Sequence, residues 1–310
     1  MKYGVTWYGK LSVKENRTMS FEIFTDSSAN LTQKQVEENG LKIISLTFSV
    51  NGEERLAYDP TDSFDLIEYY KKMKEEKLSV KTSLINFSAF IDAFTPCLEE
   101  GKDILYVAMS SGISGTYQAS VTAAEILAEK YPERKVVAFD TRAASFGEGI
   151  FALEAARLRA EGKDLDSAVK WINDKRMNMC QFFTVDDLMF LRRGGRLGTI
   201  SAVLGTIINI KPVLMGDHDG KIVVCEKIRG RQKSLIELAD LFTKKAINSE
   251  SQTIAVAHCG CPEDAEFVVS KIREKNKIKD AIIEYYEPGT GAHVGPGTVA
   301  LFFWGDKKEI

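Results

Sequence analysis

Small hydroxyl residues and glycines gather at one place in this chain in a pattern that could hold an anion. Ser110-Ser111-Gly112-Ile113-Ser114-Gly115-Thr116-Tyr117 follows the apolar run Ile104–Met109 and precedes Gln118–Lys130, where Ala119, Ala123, Ile126 and Leu127 recur at helical spacing. The order is therefore buried strand, polar loop, helix N-terminus. Helix N-termini present unpaired N–H groups and a partial positive charge, and with hydroxyl donors beside them they can hold a carboxylate without a fixed cation. Ser and Thr at such a junction also serve as helix caps, and the loop by itself leaves both roles open. It carries two glycines and no lysine, unlike nucleotide-binding loops.

Two other chemistries can be weighed on the same residues. A serine hydrolase would use Ser111 or Ser114 with His293 as base. Gly112-Ile113-Ser114-Gly115 lacks the Gly-x-Ser-x-Gly elbow, although a triad can assemble from residues distant in sequence. A fluorophosphonate probe separates this reading from simple binding. A metal site would have to start from His258-Cys259-Gly260-Cys261, but the chain has only three histidines and offers no clear fourth ligand, so none is expected. No Walker loop and no evident acidic cluster for Mg²⁺ occurs, which assigns any ATP chemistry to a partner.

Composition narrows the field further. A net charge of −3 gives no electrostatic case for nucleic acid, and no apolar run approaches the roughly 20 residues of a membrane helix. The five cysteines are odd in number and lack Cys-x-x-Cys spacing, as expected of reduced thiols in a cytoplasmic protein. At 310 residues the chain is long enough for two domains.

The elements that must position these residues alternate in type. Ser20–Thr25 reads as a first strand ending at Asp26-Ser27-Ser28-Ala29-Asn30, where Asp26 is a candidate cap. Met19 could be the functional start, with residues 1–20 an extension outside the fold. Leu41–Val50 reads as one strand, and Asn51-Gly52 as a hairpin turn. A helix follows over Thr61–Lys77 with Phe64, Ile67 and Tyr70 inward; Lys81–Asn86 reads as a connector, and Ser88 as the cap of the next helix. Lys135–Thr141 is another buried strand. Strand and helix alternating at this spacing predict a parallel α/β sheet over residues 21–163, whose carboxyl end collects the polar junctions, the usual place for a ligand. Over residues 164–310 hairpins mix with helices, which predicts a second, α+β domain with a mixed or antiparallel sheet. Within it, the apolar stretch Ile200–Ile210 is halted by Lys211-Pro212, and His293 falls in a glycine-rich loop.

Seven short motifs in order resemble the DegV family of bacterial fatty-acid-binding proteins: Asp26-Ser27-Ser28-Ala29, Lys81-Thr82-Ser83, Ser110–Tyr117, Asp140–Ser145, Gly194-Gly195-Arg196-Leu197, Ile210–Leu214 and His293-Val294-Gly295-Pro296-Gly297. They span about residues 21–304. The resemblance implies a two-domain protein that needs no cofactor and holds one long-chain fatty acid, palmitate or similar, in a tunnel between the domains. It further implies a carrier rather than an enzyme, which presents the acid to a separate fatty acid kinase subunit making acyl-phosphate for phospholipid synthesis. By family motif Thr82 and Ser111 would hold the carboxylate, with Ser83, Ser110, Gly112, Arg196 and His293 in the neighbouring polar network. Ile85 stands where the family usually has proline, which loosens the backbone constraint near Thr82.

Elementary energetics agree with such a ligand. Each buried methylene contributes about 0.8 kcal/mol, so sixteen carbons supply roughly 10 kcal/mol before ordering costs. The head group then needs only satisfied hydrogen bonds, which Thr, Ser and Arg side chains can donate. Phe146, Ile150 and the Ile200–Ile210 stretch are candidate walls.

Overall fold

A computed structural model of the protein describes residues 21–76, 78–196 and 210–307. The expected extension at 1–20, Leu197 and nearly all of the Ile200–Ile210 stretch lie outside the described residues. The chain opens with β1 (Phe21–Asp26), α1 (Gln33–Glu38), β2 (Leu41–Ile44), β3 (Thr47–Val50), β4 (Glu53–Leu56), α2 (Leu66–Glu75), β5 (Val80–Ser83) and α3 (Phe87–Glu99). It continues through β6 (Asp103–Ala108), α4 (Thr116–Lys130), β7 (Val136–Asp140), α5 (Phe146–Ala160), α6 (Leu165–Lys175), β8 (Met179–Thr184) and α7 (Met189–Arg193). The last part comprises β9 (Ile210–Gly216), β10 (Ile222–Arg229), α8 (Arg231–Lys245), β11 (Thr253–His258), α9 (Pro262–Lys275), β12 (Asp280–Tyr285), α10 (Pro288–Val294) and β13 (Val299–Trp304).

Among the described residues the strands form three sheets. One is parallel throughout, in the order β2-β1-β6-β7. A second is mixed, in the order β10-β9-β8-β13-β11-β12, with only β11 and β12 parallel to each other. The third is a small antiparallel sheet, β4-β3-β5. The α/β character and the pairing of a parallel with a mixed sheet follow the sequence reading.

Alternation along the strands stacks the layers. On β6, Leu105 and Val107 face one core while Ile104, Tyr106 and Ala108 face another, under α3 and α4. On β13, Ala300 and Phe302 join that same first core, while Val299, Leu301 and Phe303 turn towards α8 and α9. The shared core is built around α5, which packs on β1 and β6 from one sheet and on β8, β11 and β13 from the other. Thirteen of its fifteen residues are buried, the exceptions being Arg157 and the terminal Ala160, as expected of a helix covered on both faces. Gly149 lets it touch the backbone of Ala29, and Gly147 brings it against Ala143 and Gln181.

Several local expectations change. Leu41–Val50 is two strands: Ser45-Leu46 breaks it, so β2 stays in the parallel sheet and β3 leaves to start the small one. The Asn51-Gly52 turn closes β3 on β4 as expected, with both residues at positive φ, +52° and +93°. Lys81–Asn86 is not merely a connector, because the edge of that hairpin gives β5 a partner and sets Thr82 opposite Phe48. Helix α2 begins after its cap Asp65, and Ile67 is exposed whereas Tyr69, Tyr70 and Met73 are buried. Asn86, not Ser88, caps α3. Pro212 does not stop the chain but lies within β9. His293 sits in α10, a short helix capped by Glu287, rather than in a loop. Among the described residues no helix is long and apolar enough to cross a membrane.

Candidate functional site

At the carboxyl end of the parallel sheet a cavity with about 1130 Å³ of open space, mouth included, separates the two larger sheets. Its walls are mostly apolar, among them Met109, Ile113, Phe183, Leu191, Ile222 and Phe302. Met109 and Ile113 follow β6, Phe183 and Phe302 lie on β8 and β13, Ile222 begins β10 and Leu191 belongs to α7. The cavity is thus framed by the two sheets and roofed on one side by β5 and α10.

The polar groups are concentrated. β5 places Thr82 and α10 places His293 so that Thr82 Oγ1 and His293 Nε2 lie 2.7 Å apart. Gly194 permits this, since a methyl group there would collide with His293 Nδ1. Arg196, just beyond α7, donates from Nε to the Ile113 carbonyl at 3.2 Å and from its guanidinium to the Gly194 carbonyl. Burial, reinforced by the Arg196 charge, pushes the His293 imidazole down to about 4. The ring is therefore neutral near pH 7. In the tautomer carrying hydrogen on Nε2 it donates to Thr82, which frees the Thr82 hydroxyl proton for an anion in the cavity.

The serine-rich loop is arranged differently. Ser110 is buried and lines the cavity, but its hydroxyl donates to Gly220 O at 2.8 Å and accepts from Gly112 N at 3.1 Å. Ser111 is exposed and absent from the lining; its hydroxyl donates to Asp140 Oδ2 at 2.6 Å and its N–H to Oδ1 at 3.2 Å. Ser114 lines the cavity, donates to Thr116 Oγ1 at 3.0 Å and accepts from Thr116 N. Ser83 lies at the rim beside the exposed Leu84. Gly112 packs on the β9–β10 turn, where an added Cβ would stand 2.7 Å from Asp219 O. Arg142 grips the same turn by donating to His218 O at 2.6 Å. The structure thus brings Thr82, Ser83, Ser110, Arg196 and His293 to the cavity and leaves Ser111 outside it. Phe146 and Ile150, expected as walls, are instead packed in the α5 core.

Sequence reasoning passed over three features. Gln181 of β8 and Tyr286 both line the cavity; a lone Gln in an apolar strand was the available signal for the first. Behind the wall, Asp26 and Glu148 form a fully buried acid pair. Tyr106 donates to Asp26 at 2.6 Å and Thr25 to Glu148 at 2.7 Å, while Ser28 Oγ lies within hydrogen-bond reach of both carboxyls. Ser28 has one hydroxyl proton for two carboxyl partners, so one acid must supply the other. Burial raises both carboxyls, and the neighbouring Asp26 charge lifts Glu148 well above its ordinary range, so the pair holds a proton between them. Glu287, the cap of α10, is likewise pushed up, to about 7, by burial. Among the described residues no group of His, Cys, Asp and Glu is arranged to hold a metal ion.

Known proteins share this architecture. A DegV domain-containing protein of Clostridium perfringens is 39% identical over 290 residues, covering 93% of this chain and 99% of its own. The structure of a DegV family protein from Thermus thermophilus, described for its fatty acid binding, superposes with a TM-score of 0.82 at 27% identity, covering 93% of this chain and all of its own. A fatty-acid-binding DegV family protein of Streptococcus agalactiae gives 0.81 at 28% identity, over 92% of this chain and 98% of its own. The family model described as "Uncharacterised protein, DegV family" matches residues 20–306. With fold, motif order and near-complete coverage in agreement, the chain belongs to the DegV family.

Proposed function

We propose that this protein binds one long-chain fatty acid in the cavity between the two larger sheets and offers its carboxylate to a separate kinase that makes acyl-phosphate. The observation that carries the reading is a mostly apolar cavity that closes, at one side, on the Thr82–His293 pair with Arg196 beside it. The tail takes the apolar walls; the carboxylate takes the Thr82 hydroxyl, with Arg196 beside it as a further donor. Ser111 reaches the ligand only by giving up Asp140, so its part in this reading is to brace the loop. Family kinship supports the ligand class, because solved relatives from Thermus thermophilus and Streptococcus agalactiae are described as binding fatty acids. The division of labour with a kinase is supported by the lack of a phosphate-binding loop of the Walker type in this chain. A carrier role, with no catalysis of its own, fits the partners of the serines: His293 pairs with Thr82, while Ser111 turns to Asp140 and Ser114 to Thr116.

The deciding experiment is native mass spectrometry of the protein purified from a bacterial host, followed by incubation with a fatty acid kinase, ATP and Mg²⁺. One co-purified acyl chain per protein and kinase-dependent acyl-phosphate are the expected results. A lipid-free protein that also ignores added palmitate and oleate overturns the binding reading; a loaded protein that yields no acyl-phosphate overturns the kinase reading alone.

A further inference from the structure

We propose that Gln181 is the end stop of the acyl slot and sets the longest chain the protein accepts, an inference that rests on the fatty-acid reading above. Strand order places it away from the polar pair. His293 is in α10, which follows β12 at one edge of the six-stranded sheet, whereas Gln181 lies on β8, beside Gly216 at the end of β9 and Ile222 at the start of β10, towards the other edge. In the parallel sheet the lining runs likewise from Leu46, after edge strand β2, to Ala143 and Ala144, after edge strand β7. It is this last loop that Gln181 holds: Ala144 N donates to its Oε1 at 3.1 Å, and its Nε2 donates to Arg142 O at 3.2 Å.

The carboxamide is also boxed in. A Cβ on Gly216 would collide with Nε2, and one on Gly147 would lie 3.1 Å from Oε1. Side chains are missing at both positions where Gln181 needs the room. A fixed, hydrogen-bonded amide therefore interrupts a wall otherwise made of Phe183, Phe302 and Ala300. A terminal methyl group can rest against it, but one more methylene would have to displace the amide and break two bonds in an apolar setting. Leaving those partners unpaired offsets what burying the methylene contributes. Length selection then lies in Gln181, and the head-group contacts are blind to it.

The test loads wild type, Gln181→Ala and Gln181→Asn with an equimolar mixture of saturated C12–C22 acids and reads bound chain lengths by native mass spectrometry. Wild type is expected to fall off sharply beyond its optimum. Gln181→Ala should move the optimum up by two carbons or more, with occupancy of each newly admitted length rising about fourfold per added methylene, the factor set by about 0.8 kcal/mol. Gln181→Asn keeps an amide one carbon shorter and should give an intermediate profile; it decides the matter if the alanine variant does not fold. Unchanged length profiles in the folded variants overturn the proposal. So does an equal loss of all lengths, which would make Gln181 a head-group ligand. A wild type that binds none of the acids instead refutes the fatty-acid reading itself.

Discussion

Replacing Thr82 with valine removes one hydroxyl while nearly keeping the side-chain volume, and two separable losses follow. In the free protein His293 Nε2 loses its partner at 2.7 Å. A buried polar group left unpaired costs about 1–3 kcal/mol, which appears as lower thermal stability of the empty protein. In the complex, a hydrogen bond to a charged carboxylate is lost, worth roughly 1.5–3 kcal/mol, or a factor of roughly 10 to 150 in affinity. The tail, at roughly 10 kcal/mol, is untouched, so the acid still binds. The comparison that isolates the head group is palmitate against its methyl ester, measured at pH 8 by displacement of a fluorescent fatty acid. The ester has the same tail but no charge, and its hydrogen bond is worth only about 0.5–1.5 kcal/mol, or roughly 2- to 13-fold. Thr82→Val should therefore weaken the acid distinctly more than the ester. Equal weakening of both ligands would refute the placement of the carboxylate at Thr82.

Four further outcomes are expected. His258 and His293 are each held by burial at about 4, below the ordinary value of 6.5, so the unfolded chain binds more protons between those limits. Stability should rise as pH goes from about 4 to about 6.5 and then level off, by up to about 2–3 kcal/mol for each ring, and urea midpoints of wild type and a His258→Gln/His293→Gln variant check it: an equal slope in both refutes it. Glu148 has the opposite sign, because its raised pKa makes ionisation above about 4.5 a penalty on the folded state; Glu148→Gln should gain stability relative to wild type between pH 5 and pH 8, and a constant difference refutes this. Gly112→Ala would press on Asp219 O and the Gly220 backbone at 2.7 Å, with an expected loss of about 1–3 kcal/mol and faster ligand release, read by calorimetry and stopped-flow displacement. A fluorophosphonate probe should label neither Ser111 nor Ser114, and stoichiometric labelling would restore the hydrolase reading.

Much of the fold was legible because period and punctuation agree. The strand–loop–helix at Ile104–Lys130 and the Asn51-Gly52 turn follow from apolar runs, alternation and turn chemistry. Helix α6 is legible in the same terms, since Asp164 caps it and its apolar face repeats at helical spacing. What sequence could not supply was partnership between distant segments. Val80–Ser83 is too short to announce itself as a strand and becomes one only because β3 lies alongside. Ser111 looks like a ligand donor until Asp140, 29 residues on, takes its hydroxyl. His293 gains its meaning from Thr82, 211 residues earlier, and only burial makes it neutral. Asp26 read as a simple cap, which it is, but the acid opposite it lies more than a hundred residues away.

Helix α5 has a consequence for how the molecule comes apart. Neither of the two large sheets owns it: Phe151 meets Phe139 on one side and Trp304 on the other. A chain cut after residue 163 would release a first half with one aromatic flank of α5 naked in water and a second half whose inner sheet face has nothing to cover it. Both fragments would be insoluble alone and soluble when co-expressed. By the same token heat should melt the intact protein in a single calorimetric step, and a ligand held between the sheets would raise that one temperature rather than split it in two.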